Sequence, residues 1–118
     1  MGPAEAVPPQ FELEVKSRED ATVVYCRGRL IAGTTSILQN QVKPLLLPQQ
    51  RKVVLDLTEV TRMDSMGLGT IMGLAVSAKR NECHLELVNL GKQIRQLFAI
   101  SNLFSLFQPA GDNTFRIV

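Results

Sequence analysis

The sequence predicts a single α/β domain built on a mixed sheet of four or five strands with helices packed against it. Strand and helix patterns alternate from Val23 onward, which favours parallel strands joined by right-handed crossovers. Before them, residues 11–16 and 23–30 carry apolar runs separated by polar turn residues, which predicts an antiparallel hairpin at the start of the sheet. A chain of 118 residues suits one domain with its own core.

The elements outside the centre of the chain follow from local patterns. Residues 1–9 contain three prolines and no periodicity, so we expect a disordered lead-in, with the domain spanning residues 10–118. In the hairpin, Glu12 and Glu14 share a face with Arg27 and Arg29, so opposite charges can meet across the pair. A helix should follow the loop at Gly33, with Thr34 or Thr35 as its N-cap. It should end or kink at Pro44, which lacks a backbone donor. Later patterns predict a strand at 84–89, a helix from 92, a short helix near 103–107 and a last strand at 114–118.

The central stretch, residues 53–80, carries the most information. Its apolar start predicts a buried strand at 53–57, followed by a polar loop at 58–62. Asp64 and Ser65 then precede a helix, and both residue types favour helix starts because their oxygens accept first-turn amide hydrogens. An anion on Ser65 would meet those amides and the positive end of the helix dipole. The predicted core stripe of this helix is Leu68, Ile71, Met72, Ala75 and Val76.

Three glycines, Gly67, Gly69 and Gly73, lie in the same helix, where each costs about 1 kcal/mol relative to alanine. Close packing of the helix on the sheet would offset that cost. Close approach of a partner's backbone would do so as well, and the two explanations are compatible.

Residues 63–69, MDSMGLG, follow the strand VVLDL and resemble the signature of the STAS domain family, the anti-sigma-factor antagonists and their relatives. The resemblance runs from about Phe11 to Val118 and includes residues 97–103, LFAISNL, which are similar to the family's late helix and turn. It implies the same α/β fold that the strand and helix patterns predict.

The resemblance also implies a modified residue. Ser65 matches the position phosphorylated in the anti-sigma-factor antagonists, and Asp64 matches the acidic residue beside it. The alternative interpretation is that Ser65 merely caps the helix. The sequence departs from the family at Ile31, where many phosphorylated members carry aspartate, and at Met66, which replaces the second serine of D-S-S-G.

We expect a partner surface around Ser65, because loops at the carboxyl ends of parallel strands meet at one edge of a sheet. The residues predicted to bind the partner are Asp64, Met66, Gly67, Thr70, Ile31 and Thr34.

Two functions remain open. By resemblance, the chain is an anti-sigma-factor antagonist that binds an anti-sigma factor serine kinase while Ser65 is bare and releases it when Ser65 is phosphorylated, with a phosphatase resetting the switch. The alternative is a STAS binding module or scaffold that works without phosphorylation inside a signalling assembly.

Composition and motifs argue against other classes. A net charge of +2 is too small for a nucleic-acid surface, and no apolar run is long enough to insert in a membrane. Without a secretory signal we expect a cytoplasmic protein, with Cys26 and Cys83 as buried free thiols. No motif indicates a metal or cofactor. A serine-hydrolase elbow would need glycine at Met63, and nothing in the sequence places His84, the single histidine, near Ser65, so we expect no enzyme activity.

Overall fold

The computed structural model describes residues 9–50 and 52–117, so most of the expected lead-in, residues 1–8, lies outside the described part. Six strands and three α-helices follow one another there, with short 3-10 turns after α1 and α3. Their bounds are β1 (Phe11–Ser17), β2 (Thr22–Leu30), α1 (Thr35–Val42), β3 (Lys52–Met63), α2 (Ser65–Arg80), β4 (His84–Val88), α3 (Lys92–Ile100), β5 (Phe107–Gly111) and β6 (Thr114–Ile117).

The strands form one mixed sheet in the order β1-β2-β3-β4-β6-β5. The β1–β2 pair is antiparallel, and β2, β3 and β4 run parallel, which confirms the predicted hairpin and the parallel pairing of these strands. The last strand departs from the prediction, because β6 pairs antiparallel with β4. The sheet has six strands, one more than the upper prediction, because β5 pairs antiparallel with β6. Its sequence, FQPAG, contains proline and glycine, which are depleted in strands, and such a strand is tolerated at the sheet edge that β5 occupies.

Strand β3 is longer than predicted. The polar residues 58–62 were expected to form a loop, yet β3 continues to Met63. Val60 and Met63 stay buried and pair with Gly28 and Leu30 of β2, across two irregularities in register. Pairing of β3 with β4 ends at Asp56, so the remainder of β3 forms a two-stranded arm with β2. This arm brings the loop after β2 and the start of α2 to the same edge.

Helix α2 faces the core along a stripe that only partly matches the predicted one: Leu68, Ile71 and Ala75 are buried, as expected. Met72 and Val76 are 39% and 48% exposed, so their assignment to the core was wrong. The helix is apolar on most of its circumference, so spacing alone could not fix the buried side. Leu74 and Ala78 take their places in the inward-facing stripe, beside Leu68, Ile71 and Ala75.

Other local predictions are confirmed. Helix α1 ends at Val42, before Pro44, and Arg27 forms an ion pair with Glu12 at 2.8 Å across the hairpin. Cys26 and Cys83 are buried free thiols, and burial, followed by the charge of Asp56, raises the pKa of Cys26 to about 12.

None of the helices in the described ranges has the length and apolarity to span a membrane.

Candidate functional site

Two loops meet at the end of the two-stranded arm. Leu30, the last residue of β2, pairs with Met63, the last residue of β3. Residues 31–34 then lead into α1, while Asp64 leads directly into α2. The Asp64 amide donates to the Leu30 carbonyl at 3.4 Å. The two segments that the sequence assigned to one edge of the sheet therefore lie side by side.

Asp64 is the N-cap of α2. One carboxylate oxygen, Oδ1, accepts from the amides of Met66 and Gly67, each at 3.0 Å. The alternative in which Ser65 caps the helix is therefore wrong, because Ser65 is already the first helical residue. The other oxygen, Oδ2, accepts from the amide of Ala32 at 3.0 Å, so the same side chain also reaches the preceding loop.

These bonds lower the pKa of Asp64 below its ordinary value. The amide of Ala32 contributes most and the amide of Gly67 next, since each hydrogen bond favours the ionised carboxylate. The bond from Met66 acts in the same direction, and partial desolvation opposes all three. The carboxylate is therefore charged throughout the physiological pH range.

The lowered pKa of Asp64 predicts a pH-dependent contribution to stability. A carboxyl group whose pKa is depressed by folding stabilises the native state above its unfolded pKa, and this contribution is lost as the pH falls through the folded pKa. We expect the difference in unfolding free energy between the parent chain and Asp64→Asn to shrink as the pH falls from about 5 to about 2. Denaturant unfolding of both proteins across that range checks this. A difference that stayed constant would contradict it.

Ser65 lies at the exposed N-terminal end of α2, a helix of 16 residues. It borders an open groove of about 380 Å³ between α1 and α2. The walls of the groove include Gln39 of α1 and Lys43, which directly follows α1, and Gly69 and Gly73 of α2. Within the described ranges, the Ser65 hydroxyl makes no hydrogen bond to another side chain or to the backbone. Its oxygen is therefore accessible and uncommitted, next to the positive end of a long helix dipole.

The 31–34 loop is held from within by Thr34. The Thr34 hydroxyl is buried, accepts from the Ile31 amide at 3.0 Å and donates to the Arg29 carbonyl at 2.8 Å. Thr34 occupies the N-cap position of α1, as predicted, but its hydroxyl serves the loop and does not cap the helix. Gly33 has a φ of +96°, which residues with a side chain rarely adopt.

The remaining predicted contact residues differ in accessibility. Met66 is 57% exposed beside Ser65, and Thr70 is half-buried and donates to the Met66 carbonyl at 3.0 Å. Gly67 is buried and faces the Leu30 carbonyl, so it supports the site from beneath. The structure thus gathers the predicted residues at one edge, and their contact with a partner stays a prediction.

The close approach of the Leu30 backbone explains why residue 67 is a glycine. A Cβ built there would lie 2.2 Å from the Leu30 carbonyl oxygen, whereas nothing lies within 4 Å of a Cβ at Gly69 or Gly73. Tight packing of the helix on the sheet therefore accounts for Gly67. It does not account for Gly69 and Gly73, which line the groove.

Two side chains and one backbone bond of this edge were not predicted from the sequence. Gln39 of α1 and Lys43, which directly follows α1, form the far wall of the groove, and the amide of Ala32 bonds to Asp64. Gln39 and Lys43 are polar and four residues apart, which indicates the solvent-facing side of α1 and of the turn after it, but only the packing of α1 beside α2 brings them to Ser65. Ala32 contributes a backbone group, for which a sequence gives no signal.

Within the described part of the chain, neither the single histidine nor a metal-binding cluster lies beside Ser65. His84 pairs with Lys52 at the start of β3, whereas Ser65 follows Met63 at its end, so roughly 35 Å of strand separates them. Across residues 9–50 and 52–117, no cluster of three His, Cys, Asp or Glu side chains could hold a metal ion.

Comparisons with known proteins show the family to which this chain belongs. The model of the STAS domain family matches residues 12–116, and the chain belongs to this family. It is 28% identical over 99 residues to an anti-sigma-B factor antagonist of Listeria monocytogenes, covering 83% of this chain and 87% of that protein.

Solved structures show the same fold. An anti-sigma factor antagonist from Mycobacterium paratuberculosis superimposes with a TM-score of 0.73 at 18% identity, covering 85% of both chains. The Bacillus cell fate determinant SpoIIAA in its phosphorylated form superimposes with a TM-score of 0.63 at 18% identity, covering 86% of this chain and 92% of that one. At these identities the likeness supports the fold alone.

Proposed function

We propose that this chain is an anti-sigma factor antagonist that binds an anti-sigma factor serine kinase while Ser65 is unmodified and releases it once Ser65 is phosphorylated. The kinase would catalyse attack of the Ser65 oxygen on the terminal phosphorus of ATP, with loss of the hydroxyl proton and departure of ADP. A phosphatase would restore the switch by hydrolysing the phosphoserine with water. In this scheme the chain works in the cytoplasm as the protein substrate and ligand of enzymes and catalyses nothing itself.

The observation that carries this proposal is that Asp64, and not Ser65, caps α2. The cap bonds are made by the Asp64 carboxylate, and Ser65 is exposed and its hydroxyl is not needed for the cap. A phosphoserine adds roughly −1.5 to −2 charge. The helix dipole tolerates that charge at this position, so modification changes the surface a partner meets without unfolding the domain.

The comparisons support the same function. Relatives that match most of this chain are anti-sigma-B factor antagonists, in Listeria monocytogenes and in Bacillus subtilis. A protein of the same fold, SpoIIAA, exists in a phosphorylated form. By the resemblance of the MDSMGLG segment to the family signature, Ser65 matches the position that is phosphorylated in anti-sigma-factor antagonists.

One feature favours the alternative, a STAS module that binds its partner without phosphorylation. Met66 replaces a serine of the family pattern and exposes 57% of an apolar side chain next to Ser65. Such a side chain supplies contact area that does not depend on phosphate. Ile31, in place of the family's aspartate, likewise makes this edge less polar.

Binding measurements separate the two functions. The purified chain is titrated with each anti-sigma factor kinase of its host, before and after incubation of the mixture with ATP. The switch predicts tight binding without ATP, transfer of one phosphate to Ser65 and weaker binding afterwards. Binding that is unchanged after prolonged incubation with ATP would favour the unmodified module.

A further inference from the structure

We infer that Asp64 is a positioning residue that latches the 31–34 loop to the start of α2, so that the two segments present one partner surface around Ser65. This inference rests on the proposed function for the identity of the partner. The latch itself concerns atoms of this chain alone.

The two carboxylate oxygens of Asp64 have separate tasks. Oδ1 bonds the amides of Met66 and Gly67 and thereby caps α2. Oδ2 bonds the amide of Ala32, which belongs to a different segment 32 residues earlier in the chain. Capping needs one oxygen, and serine performs it with a single hydroxyl. The second bond is therefore additional to the cap.

The other bonds of the loop do not replace this link. Thr34 holds the loop through groups of the loop itself and of the end of β2, namely the Ile31 amide and the Arg29 carbonyl. These bonds fix the internal shape of the loop and leave its position relative to α2 to the arm and to Asp64. Ala32 and Gly33 are exposed, so the segment that Asp64 holds is also the segment a partner can touch.

Phosphorylation of Ser65 would act on this latch directly. The phosphate would lie one residue from the Asp64 carboxylate and close to the helix amides that Oδ1 uses. Repulsion between the two negative groups would weaken the bond from Ala32, because that bond depends on where the carboxylate sits. A charge at Ser65 therefore alters both segments of the surface.

Two conservative substitutions separate the latch from the cap. In Asp64→Asn, the side-chain oxygen can still cap α2, because asparagine caps as well as aspartate. Its NH2 group is a donor and would face the backbone N–H of Ala32, which is also a donor, so no hydrogen bond forms there. In Asp64→Ser, the hydroxyl caps the helix but has no second oxygen for Ala32. We expect roughly tenfold faster amide hydrogen exchange at Ala32 in both variants, with Gly67 and Ile31 nearly unchanged.

The outcomes are distinguishable. If both variants protected Ala32 as well as the parent does, the latch would be wrong whatever the chain binds. If Ala32 exchanged faster while both variants still bound the host's kinase with parental affinity, the shared surface would be wrong. If no kinase bound the parent chain, the proposed function would fail, and faster exchange at Ala32 in both Asp64→Asn and Asp64→Ser would still support the latch.

Discussion

Replacing Gly67 with alanine should strongly destabilise the domain. The new Cβ would lie 2.2 Å from the Leu30 carbonyl oxygen, which belongs to the backbone of β2 and cannot rotate away. Either α2 or the end of β2 must shift, and overpacking of this kind costs about 1–3 kcal/mol or more. Toward the upper end of that range we expect the melting temperature to fall by about 10 °C in calorimetry.

Gly69→Ala is the matched control for Gly67→Ala. It makes the same chemical change two residues along the same helix, where a Cβ meets nothing within 4 Å. Alanine is favoured over glycine in a helix by about 1 kcal/mol, so this variant should melt a few degrees higher than the parent. Equal effects of the two substitutions would contradict the close approach of α2 to Leu30.

Ser65→Asp should abolish most partner binding while leaving the fold intact. The added charge gains ~0.3–1 kcal/mol from the dipole of α2, which roughly offsets repulsion from Asp64. The melting temperature should therefore stay within a few degrees of the parent. Repulsion from the partner and disturbance of the Asp64 latch should weaken binding to the kinase at least tenfold, which is about 1.4 kcal/mol. Isothermal titration and calorimetric melting of the same samples measure the two effects separately.

Two further variants complete this test. Ser65→Ala should bind the kinase as the parent does. Its free energy of unfolding should stay within about 0.5 kcal/mol of the parent's, because Asp64 supplies the cap. Ser17→Asp is a control that adds the same charge far from Ser65. Ser17 pairs with Thr22, and Thr22 pairs with Val53 near the start of β3, whereas Ser65 follows the end of β3. This variant should bind the kinase as the parent does. If Ser17→Asp weakened binding as much as Ser65→Asp does, a general charge effect would explain both.

Much of this fold and site follows from local chemistry. Asp64 before an apolar helical stripe predicts a helix start, and an apolar run before it predicts a strand, so the place of Ser65 is evident from neighbouring residues. The family resemblance of the MDSMGLG segment then gives that serine a chemical role. These signals depend only on residues that are close in sequence, so they can be recognised without a structure.

The features that were missed depend on distant segments. Residues 58–62 look like a loop because they are polar, but their pairing with β2 holds them in a strand. The inward side of α2 was misjudged at Met72 and Val76, because the sheet beneath decides which apolar side chains are covered. The bond from Ala32 to Asp64 joins a backbone amide to a carboxylate across two loops, and no side-chain pattern records it.

The phosphorylation state of Ser65 in the host tests the central claim most directly. Trypsin cleaves after Arg62 and Lys79, so a single peptide, residues 63–79, contains Ser65, Thr70 and Ser77. Fragmentation of this peptide by mass spectrometry assigns any phosphate to one of the three hydroxyls. In protein purified from growing, stationary and stressed cells, we expect a phosphorylated fraction that changes with condition and carries its phosphate on Ser65. A peptide that stays unmodified in every condition, or that carries phosphate on Thr70 or Ser77 instead, would contradict the switch.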